Sequence, residues 1–271
     1  MSDLYDSHPE LRPVAVEAAR YPSLKGRGVL ITGGGSGIGA GLVEAFCDQG
    51  ARVGFIDLSA AGAEATAGAV AQATGTRPEF AVADLRDIAA LQAAVDDLRG
   101  RIGPVTVLVN NAGNDDRLPA QEVTPDYWDE RFHTNIRHQF FAAQAVCADM
   151  KAQGGGAIVN MGSNSWMQGA PGLIAYTTAK SAVQGMTKSL AREWGVHGIR
   201  VNSIVPGWIL TERQVVRAKA IYQDKFDDYL TRQCLKEFLL PPDVARMALW
   251  LAADDSRLVT SQSFIVDGGV V

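Results

Sequence analysis

Gly28-Val-Leu-Ile-Thr-Gly-Gly-Gly-Ser-Gly-Ile-Gly39 is the stretch on which the fold turns. A short β-branched run, Gly28–Thr32, leads straight into a glycine-rich turn, and a helical pattern over 38–49 follows. Glycines let backbone amides approach a pyrophosphate closely, and the start of the next helix presents its positive end to the same group. Such a run can also be a plain turn. Its place between the first strand and first helix of a βαβ unit makes it a dinucleotide-binding loop.

The same alternation continues along the chain. Strand patterns lie at Gly28–Thr32, Ala51–Asp57, Glu79–Ala83, Val105–Asn110, Ala157–Gly162, Arg200–Val205 and Ser263–Val266. Helical periodicity covers about 38–49, 60–74, 87–100, 125–152, 175–196 and 241–253. Strands such as VTVLVN and GAIVNM are apolar almost throughout, as strands covered on both faces are. The expected architecture is α/β: a single doubly wound Rossmann-like domain over 26–271, its seven-stranded sheet mostly parallel, with helices on both faces. Residues 1–25 are polar and proline-bearing and read as an N-terminal arm, while 207–240 breaks the rhythm and reads as a substrate lid.

Composition narrows the function. The 271 residues carry a net charge of −5 and no dense Lys/Arg cluster, which gives no footprint for nucleic acid or an anionic membrane. No run of about 18 apolar residues occurs, so no membrane span is expected. The start, MSDLYDSHPELRP, has no apolar signal core, and Cys47, Cys147 and Cys234 stand far apart without metal-ligand spacing. A soluble cytoplasmic protein that holds no metal is expected.

Asp57 closes the second strand about 20 residues beyond the loop, where a carboxylate accepts from the adenosine ribose hydroxyls and repels a 2′-phosphate. No Arg or Lys lies in the loop to welcome that phosphate, so NAD is expected over NADP. The plainer reading of Asp57 is a strand-end turn residue. Asp84 is placed either to hydrogen-bond near the adenine, beside Leu85, or to cap the helix that follows. Tyr176-Thr-Thr-Ala-Lys180 sets a phenol and an ammonium one turn apart on one helix face. A free tyrosine titrates near 10; a neighbouring cation favours the phenolate and makes it a usable base. By itself the spacing is common.

Taken together, TGGGSGIG (32–39), NNAG (110–113), Asn135, Ser163, YTTAK (176–180), PG (206–207) and VDGG (266–269) resemble the classical short-chain dehydrogenase/reductase family, in order and spacing, over residues 25–271. The resemblance implies a catalytic tetrad of Asn135, Ser163, Tyr176 and Lys180. In it Ser163 donates to the reacting oxygen, Lys180 binds the nicotinamide ribose and lowers the tyrosine, and Asn135 holds a relay water through a kinked helix. It further implies cofactor contacts at Gly33, Ser36, Gly37, Ile38, Gly39, Asn111, Ala112, Gly113, Pro206, Gly207, Ile209 and Thr211, besides Tyr176 and Lys180. Homotetramers are usual in the family.

Within it, the chain is similar to bacterial NAD-dependent aldose 1-dehydrogenases of the xylose, arabinose, galactose and fucose type, through YPSLKG (21–26), NNAGNDDR (110–117), YWDER (127–131) and QCLK (233–236). Substrate contacts are then expected from Asn114, Ser165, Trp166, Gln168 and Trp208, with Ser163 and Tyr176. Sugar rings ask for several polar partners and an aromatic face. The plainer readings are a turn role for Ser165, solvated turns for Asp115 and Asp116, and lid packing for the two tryptophans. The reaction implied is oxidation of C1 of a cyclic aldose to the lactone. A secondary-alcohol dehydrogenase or 3-oxoacyl reductase is the alternative, and a non-catalytic dinucleotide sensor a distant third.

Overall fold

Residues 16–221 and 225–271 are described by the computed structural model. The seven strands are β1 (Gly28–Thr32), β2 (Arg52–Asp57), β3 (Glu79–Val82), β4 (Val105–Asn110), β5 (Gly156–Met161), β6 (Ile199–Pro206) and β7 (Ser263–Val266), in the sheet order β3-β2-β1-β4-β5-β6-β7. Every pairing is parallel, where a mostly parallel sheet was expected. The order reverses between β1 and β4, so a crevice opens there beyond the carboxyl ends of the strands.

Alternation along the strands sends side chains to two separate cores. Val29, Ile31, Val53 and Phe55 pack with α1 (Gly37–Asp48), α2 (Ala60–Thr74) and α9 (Pro241–Ala252). Leu30, Ile56, Leu108 and Ile158 pack with α3 (Ile88–Ile102), α5 (His138–Ala152) and α6 (Ile174–Trp194). Local chemistry sets the ends. Ser59 caps α2 by accepting from Gly62 N–H at 3.0 Å, and Gly75 ends it at φ 74°. Asp87 caps α3 through the amides of Ala89 and Ala90. The cap before that helix is therefore Asp87 and not Asp84, whose carboxylate Arg86 binds instead at 2.6 Å.

The helical pattern over 125–152 is three pieces: α4 (Pro125–Phe132), a π turn (His133–Arg137) and α5. A π turn inserts one residue and leaves the regular ladder. Here it carries Asn135. The expected arm is shorter than residues 1–25: Leu24 is fully buried in the core, and Tyr21 N–H donates to Gln49 Oε1 at 2.8 Å. Residues 1–15 lie outside the described residues. The stretch 207–240, where no helix was expected, contains α7 (Glu212–Ile221) and α8 (Lys225–Arg232) around a small core of Leu210, Val215, Phe226, Leu230, Phe238 and Leu240.

A polar row crosses the middle of the sheet. Asn110 donates to Asn160 Oδ1 at 2.9 Å and to Gln139 O at 2.9 Å, while Asn160 donates to Thr187 Oγ1 at 3.0 Å. Below the π turn, His138 is wholly buried, its Nε2 3.2 Å from Ala112 O. Burial first, then the charge of Lys180, push His138 from 6.5 down to about 3, against the pull of the Ala112 and Thr134 carbonyls. The folded protein thus refuses a proton that the unfolded chain accepts. Stability attributable to this group is intact above 6.5 and lost as pH falls towards 3. His138→Gln keeps a donor near Ala112 but cannot titrate. Between about pH 6 and about pH 4, urea unfolding of the variant should lose stability less steeply than wild type, by about 1.4 kcal/mol per pH unit. Parallel curves would mean that His138 is charged in the folded state.

Candidate active site

The crevice begins at the glycine loop. Ser36, the N-cap of α1, makes no side-chain capping bond. The first-turn amides of α1, at Gly37, Ile38 and Gly39, have no acceptor within the helix and face the crevice. A Cβ on Gly39 would lie 1.8 Å from Gly33 O, so the loop closes this tightly only with glycine there. Thr211, arriving from beyond β6, sits against Gly37. The far wall is held by Thr32, whose hydroxyl accepts from the amides of Asn111 at 3.0 Å and Ala112 at 3.1 Å. Asn111 Nδ2 in turn donates to Thr32 O and Gly33 O, both at 3.0 Å. A pyrophosphate fits this cradle on charge and on donor direction.

Asp57 lies where β2 meets the loop. It accepts from Gly35 N–H and from Ser59 N–H, each at 2.8 Å, which fixes both oxygens and leaves further lone pairs outward. Both the turn reading and the ribose reading are therefore geometrically open to it. Asp84 is held below the usual carboxylate range by its hydrogen bond from Arg86, and Arg86 also pairs with Glu130 at 3.0 Å. Leu85 is half-buried beside the α3 core. Asp84 is thus committed first to an ion network.

Ser163, Tyr176, Lys180 and Asn135 gather around the ends of β4 and β5. Ser163 lies near enough to the Tyr176 phenol to lower it, and its hydroxyl donates to Ser165 Oγ at 2.9 Å. Ser165 N–H returns a bond to Ser163 Oγ at 3.2 Å, so the turn role of Ser165 is real and orients Ser163. Part of the Tyr176 ring remains open to the crevice. Burial nevertheless raises its hydroxyl to about 12, a rise that the Ser163 bond only partly offsets. Lys180 Nζ stands 5.8 Å from the Tyr176 ring centre and donates to Met161 O at 2.9 Å. Burial pushes Lys180 down to about 8. The two shifts run in opposite senses, and burial is the largest cause of each.

Asn135 clamps the turn after β4: its Oδ1 accepts from Asn114 N–H at 2.9 Å and its Nδ2 donates to Asn114 O at 3.1 Å. Its own carbonyl accepts from Gln139 Nε2 at 3.1 Å. A Cβ on Gly113 would meet Asn135 Oδ1 at 3.0 Å and Lys180 Nζ at 3.1 Å. Pro206 and Gly207 end β6 beside this group, and Gly207 N–H is held by Val266 O at 2.9 Å.

The outer walls are partly engaged. Asn114 Oδ1 accepts from Arg213 at 3.0 Å. Asp115, one of two carboxylates with an expected solvated reading, is gripped by Arg217 at 2.8 Å and Gln214 at 3.1 Å, tying the β4 turn to α7. Asp116 stays about half exposed, 3.9 Å from Arg131. Gln168 accepts from Arg232 at 2.6 Å. Trp208 stacks on Phe226 at 5.3 Å, and its Nε1 donates to Gln214. That matches the packing reading of this tryptophan. Trp166 differs: its buried Nε1 has no partner. His138, Gln139, Arg217 and Tyr229 were not anticipated. Tyr229 matters because its hydroxyl accepts from Trp208 N–H at 2.7 Å. Nothing in their spacing marks these residues, since each acts through a contact distant in sequence.

A family model described as Enoyl-(Acyl carrier protein) reductase matches residues 33–271. The chain is 47% identical over 257 residues to a protein of Rhizobium meliloti (strain 1021) named "Probable galactose dehydrogenase", covering 95% of this chain and 100% of that one. It is 44% identical to the D-xylose 1-dehydrogenase of Caulobacter vibrioides (strain NA1000 / CB15N), covering 94% and 99%. Among solved structures, a short-chain type dehydrogenase/reductase from Mycobacterium ulcerans superposes with a TM-score of 0.86 at 28% identity, covering 92% of this chain and 90% of that one. Levodione reductase gives 0.84 at 30% identity, covering 90% and 97%. With matches of this extent running through the glycine loop and the Tyr–Lys pair, the chain belongs to the short-chain dehydrogenase/reductase family, oxidoreductases that work with a nicotinamide dinucleotide.

Proposed function

We propose that the protein oxidises C1 of a cyclic aldose, with NAD⁺ as the partner dinucleotide, and releases the aldonolactone. The observation that supports this reading is the grouping of Ser163, Tyr176 and Lys180, and the crevice above them would be walled by Asn114, Trp166 and Gln168. Relatives named for galactose and D-xylose support the sugar class.

The dinucleotide would be held by the α1 amides and the Gly33–Gly39 loop, by Asp57 at the adenosine ribose and by Asn111, Ala112 and Gly113 along the far wall. Lys180 would meet the nicotinamide ribose, and the backbone of Pro206, Gly207 and Ile209 with Thr211 the carboxamide. Asp57 supports NAD, since a second anion beside a carboxylate already fixed by two amides is repelled. When bound, the oxidised nicotinamide supplies the hydride acceptor and a positive charge. Ser163 donates to the C1 oxygen and holds it against the Tyr176 hydroxyl. Tyr176, as phenolate, takes the C1 hydroxyl proton. Lys180 steadies that phenolate, which burial otherwise opposes. The base is thus available only when the cation beside it is complemented. Trp166 Nε1 is a donor free for a ring hydroxyl.

Among the described residues no helix is long and apolar enough to cross a membrane. The free thiols Cys47, Cys147 and Cys234 suit the reducing cytoplasm. Exposed Phe140 on α5 and Ile174 on α6 support pairing of these helices in a homotetramer.

The deciding experiment follows absorbance of the reduced dinucleotide while purified protein meets galactose, arabinose, xylose and fucose beside simple secondary alcohols, with NAD⁺ and with NADP⁺. Turnover on one or two aldoses with NAD⁺ is expected. Silence on sugars with activity on another alcohol would discard the aldose reading and leave the family standing. Tyr176→Phe should cut kcat by about 10²–10⁴-fold with dinucleotide affinity little changed, as loss of a general base does. Asp57→Ala should weaken NAD⁺ by about 10–100-fold and narrow its advantage over NADP⁺, the scale of a charged hydrogen bond. An unchanged ratio would remove the role given to Asp57.

A further inference from the structure

The opposite end of the sheet holds a second recess that the dehydrogenase reaction does not use. It lies at the amino ends of β1, β2, β4, β5 and β6, with a volume of about 500 Å³, and four arginines line it: Arg27, Arg52, Arg200 and Arg257. Among the described residues Asp254 is the only carboxylate lining it. Its side chain is 75% exposed and stands 3.6 Å from Arg27 Nη1.

Part of this basicity has a structural purpose. Arg27 Nη1 donates to Ala252 O at 3.1 Å and Arg200 Nη2 to Ala253 O at 3.2 Å, at the carboxyl end of α9, where cations are favoured. Arg27 also spends Nε and Nη2 on Thr106. Capping does not use all of either group: a guanidinium has five N–H donors, and three of Arg27 and two of Arg200 are accounted for. Nor does capping ask two guanidinium groups to share one recess. Burial lowers both, and Arg27 pushes Arg200 down further, so the pair is held against mutual repulsion with only a solvated carboxylate in compensation. Arg52 and Arg257 add charge at the rim, with Arg52 fixed to Gly26 O at 3.0 Å.

We propose that this recess is an anion site, separate from the dinucleotide crevice, which takes a phosphoryl group between Arg27 and Arg200. A planar fork of donors suits phosphate oxygens, and a dianion relieves the repulsion that the protein alone leaves in place. The group would arrive as inorganic phosphate or as a small phosphate monoester. Because β1 separates the recess from the glycine loop by about 13 Å, the two sites can be filled together.

The test uses the full chain saturated with reduced dinucleotide, so that phosphate cannot report from the glycine loop. Titrations with inorganic phosphate and with glycerol 3-phosphate, against chloride at equal ionic strength, would be read by ³¹P line broadening and by the thermal midpoint. Saturable binding is expected, at least about tenfold weaker in Arg200→Gln and several-fold weaker in the rim variant Arg257→Gln, which touches no capping bond. Tighter binding of glycerol 3-phosphate would identify a phosphorylated metabolite as the ligand, and equal binding would identify free phosphate. Phosphate effects that chloride reproduces, or that both variants retain in full, would overturn the proposal.

Discussion

Lys180 is 2% exposed, and much of the site follows from keeping an ammonium group there. A buried charge costs several kcal/mol unless its surroundings are arranged for it. Met161 O takes one of its protons, Gly113 leaves it room that a methyl group would fill, and His138 beside it stays neutral. The π turn places Asn135 so that its amide holds the Asn114 backbone above the same group. Tyr176 shares the enclosure and is shifted in the opposite sense, towards retaining its proton. Two residues four apart on α6 thereby share one enclosure that shifts both.

The doubly wound sheet was legible because each strand and helix declares itself over a few residues: the apolar run Val105–Asn110 and the glycine loop need no distant partner to be read. Ser163, Tyr176 and Lys180, which the fold brings together, were legible as a pattern in order along the chain. What stayed hidden depends on contacts across the fold. Asp87, not Asp84, caps α3, and the difference lies in Arg86 capturing the earlier carboxylate. Asp115 looks like any loop aspartate until Arg217, about a hundred residues later, is brought against it. The helices within 207–240 were missed because mixed aromatic and charged residues give no clean period until Phe226, Leu230 and Phe238 close on one another.

The two ends of the parallel sheet also divide the chemistry. At the carboxyl ends, helix amino termini and glycine amides collect an environment for phosphate that belongs to a cofactor. At the amino ends, helix carboxyl termini gather instead, and arginines answer their carbonyls. One surface is positive through backbone dipoles and the other through side chains. The first is fixed by the fold itself, whereas the second can be altered one residue at a time.

The segment 207–240 closes upon itself. Ile209 and Leu239 form a single bridge, and Leu210 N–H bonds Leu239 O at 2.8 Å, so the two ends of the segment are held together. Its apolar side chains pack mainly with one another, and its grip on the crevice passes through a few polar links such as Arg217–Asp115 and Arg232–Gln168. A segment anchored in that way behaves as a cassette in evolution. Replacing its walls exchanges what is admitted to the crevice, while the ammonium, the phenol and the strands that carry them need not change.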